Sequence, residues 1–281
     1  MTALLCALLL AAPAAAAEDA PLRLAMSSPL GEEQARKDAV ELSAVLSAAL
    51  HRKVVAEVAS PKTLPGLLAR GVVDLGWLSA AQYIDATAAV RKGQVVPAAK
   101  LVRGGLPFYR SAIFIREKGP VKKLTDLKGK RIAFTSEQSS TGYFLPRQLL
   151  LSAGFSEADL RGGKFFGDHA GVCRAVLEDK AEAGATFAND GRGGGLAGCE
   201  ETLGAEKTRE LKVLATSDPI PNDVIALKPQ SPPELVAAVR AALVALSGTP
   251  EGKEKLSTLF HADAFVPAED SDFTLLRDLR R

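Results

Sequence analysis

Apolar residues along this chain fall into short runs that alternate with stretches in which they recur every third or fourth position. "PLRLAMSS" reads as a strand, "EEQARKDAVELSAVLSAALH" as a helix and "KVVAEVAS" as a second strand. "PKTLPGLLARG" and "VVDLGWLS" add a helix and a strand, and "AAQYIDATAAVRKG" adds a further helix. Later, "KRIAFTS", "GKFFGD" and "AEAGATFA" repeat the strand pattern with helices between them. Such alternation predicts an α/β fold with largely parallel sheets, arranged as two units.

The two units echo each other. "LLARGVVDLGWLSAAQY" and "AVLEDKAEAGATFANDG" each end a helix, turn, place an acid (Asp74, Glu182) before an apolar strand and finish at a polar strand end. Two extended runs, "YRSAIFIREKG" from Tyr109 and "LKVLATSDPIPNDVIALKP" from Leu211, are expected to cross from one unit to the other and so form a hinge. "SPPELVAAVRAALVALSG" and "PEGKEKLSTLF" then read as helices that must pack back on the first unit.

Composition adds bounds to this pattern. A chain of 281 residues, 47% hydrophobic and 24% charged, suits two modest folded domains. Its 35 basic and 33 acidic residues are spread without a Lys/Arg block, so a nucleic-acid partner is not expected. "MTALLCALLLAAPAAAAEDA" opens with an apolar run and closes on small residues before Glu18, the pattern of an export signal over residues 1–17, although no basic residue precedes it. The run is too short to span a bilayer comfortably, and Cys6 lacks the small residue before it that a lipid-attachment box needs. The mature chain is therefore expected outside the cytoplasm, in the periplasm. It retains Cys173 and Cys199, which suit either a bridge or two buried thiols. Neither belongs to a set of several His and Cys residues at ligand spacing, so no metal is expected, nor any cofactor.

One stretch carries candidate chemistry. In "TSEQSSTGYFLPRQLL" a buried strand leads through hydroxyl residues into a helix that tolerates Pro146 in its first turn. Exposed N–H groups at a helix start attract an anion, Ser139, Ser140 and Thr141 add donors, and Gly142 is expected to let a ligand approach the backbone. An ordinary N-cap would use the same residues. Neither this stretch nor "GRGGGLAGC" has the Gly-Lys-Ser/Thr of a P-loop.

"GVVDLGWLSAAQYIDA", "FYRSAIFIREKGPVKKLTDLKGKRIAFTSEQSSTGYFLP", "FFGDHAGVCRAVLEDKAEAGATF" and "LATSDPIPNDVIAL", in this order, resemble the phosphate/phosphite/phosphonate-type substrate-binding proteins of ABC importers. The resemblance spans nearly the whole mature chain. It implies a two-lobe periplasmic-binding-protein fold of type II with two crossing hinge strands, one lobe from residues 18–112 and 220–281 and the other from 113–219. It also implies a monomer that captures a small oxyanion by lobe closure and hands it to a membrane permease. Ser139, Ser140 and Thr141 match the oxyanion-gripping helix start, with Ser-Ser-Thr-Gly where the family usually has Ser-Thr-Ser-Gly. Tyr83 and Tyr109 match tyrosines that wall the pocket or donate O–H, and His169 matches the ligand-binding histidine. Asp190 and Asp223 fall near the carboxylates that hold a ligand's amine in aminophosphonate binders, and either equally suits a turn cap. Arg192 suits an oxyanion clamp or a solvated side chain, while His51 and His261 have only surface contexts.

Two other functions use the same residues. Ser140, His169 and Asp190 are the residue types of a nucleophilic triad, as in an exported hydrolase, but no Gly-x-Ser-x-Gly elbow is present. A ligand-sensing partner of a membrane histidine kinase would share the fold and bind a different small ligand such as arsenite.

Overall fold

The computed structural model describes residues 20–27, 32–137, 139–189 and 195–279. The expected export signal, Asp190 and Arg192 lie outside the described residues.

The chain begins with the anticipated strand–helix–strand unit: β1 (Leu22–Met26), α1 (Glu32–Leu50) and β2 (Val54–Val58). It continues through α2 (Leu64–Ala69), β3 (Leu75–Leu78), α3 (Ala80–Ala89) and β4 (Val96–Val102). Helix α3 starts where it does because Ser79 and Gln82 form a reciprocal capping box, each side chain accepting the other's backbone N–H.

A second sheet takes over with β5 (Phe108–Arg116), β6 (Ile132–Phe134), a π-helical turn at Ser140–Phe144 running into α4 (Leu145–Ser152), and β7 (Lys164–Phe165). Then come α5 (His169–Leu177), β8 (Ala183–Ala188), α6 (Ala197–Leu203), α7 (Ala205–Thr208), β9 (Leu211–Thr216) and β10 (Ile220–Pro221). The chain returns to the first sheet as β11 (Val224–Leu227), α8 (Pro233–Ala245), α9 (Pro250–Phe260), β12 (Ala264–Pro267) and α10 (Thr274–Leu279).

Strand order is β12-β4-β11-β3-β1-β2 in the first sheet and β10-β5-β8-β6-β7 in the second, with β9 also on β5. The expectation of largely parallel sheets is corrected. Only β2, β1 and β3 run parallel in the first sheet and only β7, β6 and β8 in the second. Strand β11 enters from the other sheet and therefore meets β3 and β4 antiparallel, and β5 likewise meets β8 and β9 antiparallel.

Both sheets are covered on both faces, which is why their strands read as near-continuous apolar runs. Leu22, Leu24 and Met26 meet Leu42 and Leu46 of α1 together with Val239, Leu256 and Phe260 of α8 and α9, so those late helices do return to the first sheet. Ala25 points the opposite way, toward Leu64, Leu68, Tyr83 and Phe273. In the second sheet Phe114 and Ala133 pack under α5, while Ile113 and Ile132 pack with Leu150 of α4.

The internal echo has a structural cause. Asp74 accepts the backbone N–H of Arg23 at 2.8 Å, and Glu182 accepts that of Arg131 at 2.9 Å. In each sheet the acid before one parallel strand holds the start of the neighbouring one. Each also pairs with a cation, Lys228 and Arg131 respectively, at 2.7 Å.

The chain passes between the sheets twice, at residues 103–107 and 222–223. The long run from Leu211 is thus three strands, of which only the last joins the first sheet. The two passages hold each other: Leu101 donates to the Asp223 carbonyl at 2.9 Å, Asn222 donates through its backbone to the Pro107 carbonyl at 3.1 Å, and its side-chain amide reaches the Leu106 carbonyl at 3.0 Å.

Candidate functional site

In an open α/β sheet, ligands settle beyond the carboxyl ends of the parallel strands, where helix starts converge. In the second sheet this rim is assembled around Thr135, the residue after β6. Its N–H donates to the Gly142 carbonyl at 3.1 Å and its carbonyl accepts from Gly167 at 3.0 Å. One residue thereby joins the hydroxyl-rich helix start to the turn that begins α5 with His169.

The helix begins earlier than the sequence predicts, and Pro146 explains how. Proline lacks an N–H, and its ring crowds the carbonyl four residues back, here Gly142. The chain opens a π turn at this point, and the freed carbonyls find other donors: Thr135 N–H bonds Gly142, and Ser111 Oγ donates to Thr141 at 2.8 Å. Pro146 is thus in the first turn of α4, as the sequence predicts, and the wide π turn before it accommodates the ring.

The hydroxyls divide their roles. Ser139 is the N-cap, its oxygen accepting from Gly142 N–H at 3.0 Å. Ser140 and Thr141 are buried, and neither hydroxyl has a hydrogen-bond partner among the described residues. Gly142 departs from expectation. A Cβ built on it would stand 2.1 Å from Thr135 Oγ1 and 2.5 Å from Thr135 Cγ2, so the glycine lets the helix start sit on the strand end instead of making room for a ligand. Thr135 Oγ1 is itself buried with no partner.

His169 is the first residue of α5, half-buried, with Asp168 capping the helix by accepting from Gly171. Its Nδ1 lies 2.9 Å from Thr186 Oγ1, and its ring stands edge-on to Phe187 at 5.0 Å. Burial pushes the imidazole down to about 4, against the opposing pull of Asp168, so at neutral pH it is uncharged. Phe187 also meets Tyr109 edge-on at 6.4 Å, which brings that tyrosine into the same group. Burial and the nearby Asp223 carboxylate raise the Tyr109 hydroxyl, keeping it a proton-bearing donor.

Two predicted residues are committed elsewhere. Tyr83 is fully buried in the first-sheet core, stacked on Phe273 at 4.2 Å, and donates its hydroxyl to Asp270 at 2.8 Å. Asp270 is held in turn by Arg277 at 2.7 Å, so the Tyr83 hydroxyl ties the core to the C-terminal segment. Asp223 pairs with Arg103 at 3.0 Å across the two chain passages. Its carboxylate is thus neutralised within the protein, where the sequence left it open to a ligand's amine.

Cys173 of α5 and Cys199 of α6 form a disulfide, with Cα atoms 5.6 Å apart. Residues missed in the sequence are Ser111, Thr135, Thr186 and Arg103. All act through partners outside their own element, and only the position of Thr135 directly after β6 gives any local signal.

Among the described residues no cluster of His, Cys, Asp and Glu is placed to hold a metal, and no helix is long and apolar enough to cross a membrane.

Two covered α/β sheets, traversed twice by the chain and bearing donor-rich helix starts at a strand-end rim, define the periplasmic-binding-protein class. Within that class, the family described as "ABC transporter, phosphonate, periplasmic substrate-binding protein" matches residues 24–273, and the chain belongs to it. It is similar to the phosphate-import protein PhnD of Mycolicibacterium smegmatis, with 26% identity over 220 residues covering 74% of this chain; the chain spans about 60% of the length of that relative. Among solved structures it is similar to PhnD1 from Prochlorococcus marinus in complex with methylphosphonate, with TM-score 0.71, 16% identity and coverage of 92% and 96% of the two chains. A Xanthomonas citri protein bound to ATP superposes with TM-score 0.75 at 19% identity, covering 92% of this chain and 94% of that one.

Proposed function

We propose that this chain is an exported solute-binding protein that captures a small oxyanion of the phosphonate, phosphite or phosphate class and delivers it to the permease of an ABC importer. The observation that carries this function is the buried helix start at Ser140 and Thr141, whose hydroxyls have no partner among the described residues. Neither hydroxyl is among the fully buried unpaired atoms, so both keep access to solvent and are available to donate to a ligand that displaces it. His169 stands on the same rim, and the helix start adds partial positive charge. Membership of the family, and the methylphosphonate held by the Prochlorococcus relative, supply the phosphorus chemistry.

Binding without chemistry agrees with the same geometry. In a nucleophilic triad a carboxylate holds the histidine Nδ1, a position that Thr186 takes here. The Arg103–Asp223 pair supports a ligand without an amine.

The test is calorimetric titration of the mature protein with phosphate, phosphite, methylphosphonate, 2-aminoethylphosphonate and sulfate. One phosphorus oxyanion should bind, and at a hundredfold its Kd it should stabilise the fold by about 2.7 kcal/mol. Thr141→Val should remove a charge-assisted hydrogen bond of roughly 1.5–3 kcal/mol and weaken that binding by about one to two decades. Unchanged affinity in the variant would place the ligand elsewhere.

A further inference from the structure

We propose that Thr186 is a positioning residue that fixes His169 in one tautomer, with Nδ1 bare and Nε2 carrying the proton, so that the histidine meets a ligand only as a donor. Thr186 is fully buried in β8, and His169 Nδ1, at 2.9 Å, is its hydroxyl's hydrogen-bond partner. Two arrangements satisfy that contact. Were Nδ1–H to donate, the threonine O–H would be a buried donor without an acceptor among the described residues, the more costly outcome. When the O–H donates to Nδ1, every donor is used, and the imidazole proton must reside on Nε2.

The packing on the other side of Thr186 supports the same direction. A Cβ on Gly198 would stand 2.1 Å from Thr186 Oγ1, so the hydrogen in its place lies against the oxygen and offers it a weak C–H contact. Helix α6, which bears Gly198, is tied through Cys199 to Cys173, one turn along α5 from His169. Gly198 has no side chain to push the threonine away. Among the described residues, Asp168 and the Phe187 ring also act on the imidazole, and neither supplies Nδ1 with a donor.

The consequence for specificity rests on the proposed oxyanion site. A histidine locked as a donor matches a ligand oxygen that is only an acceptor, as in fully ionised phosphite or methylphosphonate. It opposes a P–O–H directed at the same nitrogen.

Nitrogen-15 NMR of the ligand-free protein reads the tautomer directly, independently of any ligand. The wild type and Thr186→Ser should show an unprotonated Nδ1 and a protonated Nε2, and Thr186→Val should show a mixture. With methylphosphonate as the probe, Thr186→Val should weaken binding by about tenfold, corresponding to one neutral hydrogen bond misdirected, and Thr186→Ser should restore it. A protonated Nδ1 in the wild type, or a valine variant with unchanged tautomer, overturns the proposal. If no oxyanion binds the wild type, the proposed function fails, while the tautomer still decides the role of Thr186.

Discussion

The four residues Ser139 to Gly142 show how similar side chains acquire different duties from position alone. Ser139 caps, Ser140 and Thr141 keep their hydroxyls free, and Gly142 is glycine because Thr135 occupies the space where its side chain would stand. Gly142→Ala should therefore destabilise the fold by roughly 1–3 kcal/mol, as forced overpacking does, in urea unfolding. Adding Thr135→Ala should recover part of that loss, because it removes the nearer two of the three atoms in conflict and leaves only Cβ, at 2.8 Å. Additive costs in the double variant would mean that the glycine serves something other than this contact. The cap was legible in the sequence as a residue type. Which hydroxyl caps was not, because that depends on the π turn that Pro146 imposes.

At the scale of elements, α5 carries His169 at its first residue and is bound to α6 through Cys173–Cys199, both sulfurs fully buried. The helices pack on Ala112, Phe114 and Ala133 of the second sheet, so the bridge joins elements already held by apolar contact. Closing a loop over a sequence separation of 26 still restricts the unfolded chain. Replacing both cysteines by alanine should cost about 3–4 kcal/mol by loop-entropy reckoning, read as a lower urea midpoint with a steeper slope, because the unfolded chain freed of its cross-link exposes more surface. Wild-type protein treated with reductant under partly unfolding conditions should approach the variant. Strands β4 and β12 escaped the sequence pattern because β4 carries Pro97 and small alanines, and β12 has only four residues ending in proline. The mixed direction of the sheets escaped it too, since strand polarity is set by where the chain returns and not by local composition.

Across the whole molecule, the two sheets communicate through a narrow waist in which both chain passages are bonded to each other. Arg103 reaches Asp223 and also donates to the carbonyls of Phe260 and His261 at the end of α9, where a cation complements the helix C-terminus. Arg103→Met should thus loosen the waist at the expense of charge-assisted hydrogen bonds, a loss of about 1.5–3 kcal/mol. Hydrogen exchange at Leu101, Leu106 and Asn222 should quicken, while the amides of α1 and α5 keep their protection. Equal acceleration everywhere would mean global destabilisation and no special role for the waist.

The sequence by itself determined the α/β class, the acids Asp74 and Glu182, the hydroxyl-rich helix start and the family resemblance. Each is written in apolar spacing or in residues close along the chain. Tertiary structure alone decided that Tyr83 belongs to the core, that Asp223 is taken by Arg103, that Gly142 yields to Thr135 and that Thr186 directs His169. Those outcomes depend on partners from 7 to 187 positions away, such as Gly142 beside Thr135 and Tyr83 on Asp270. A side chain's free valence depends on which neighbours the fold brings to it, and residue type alone does not record that.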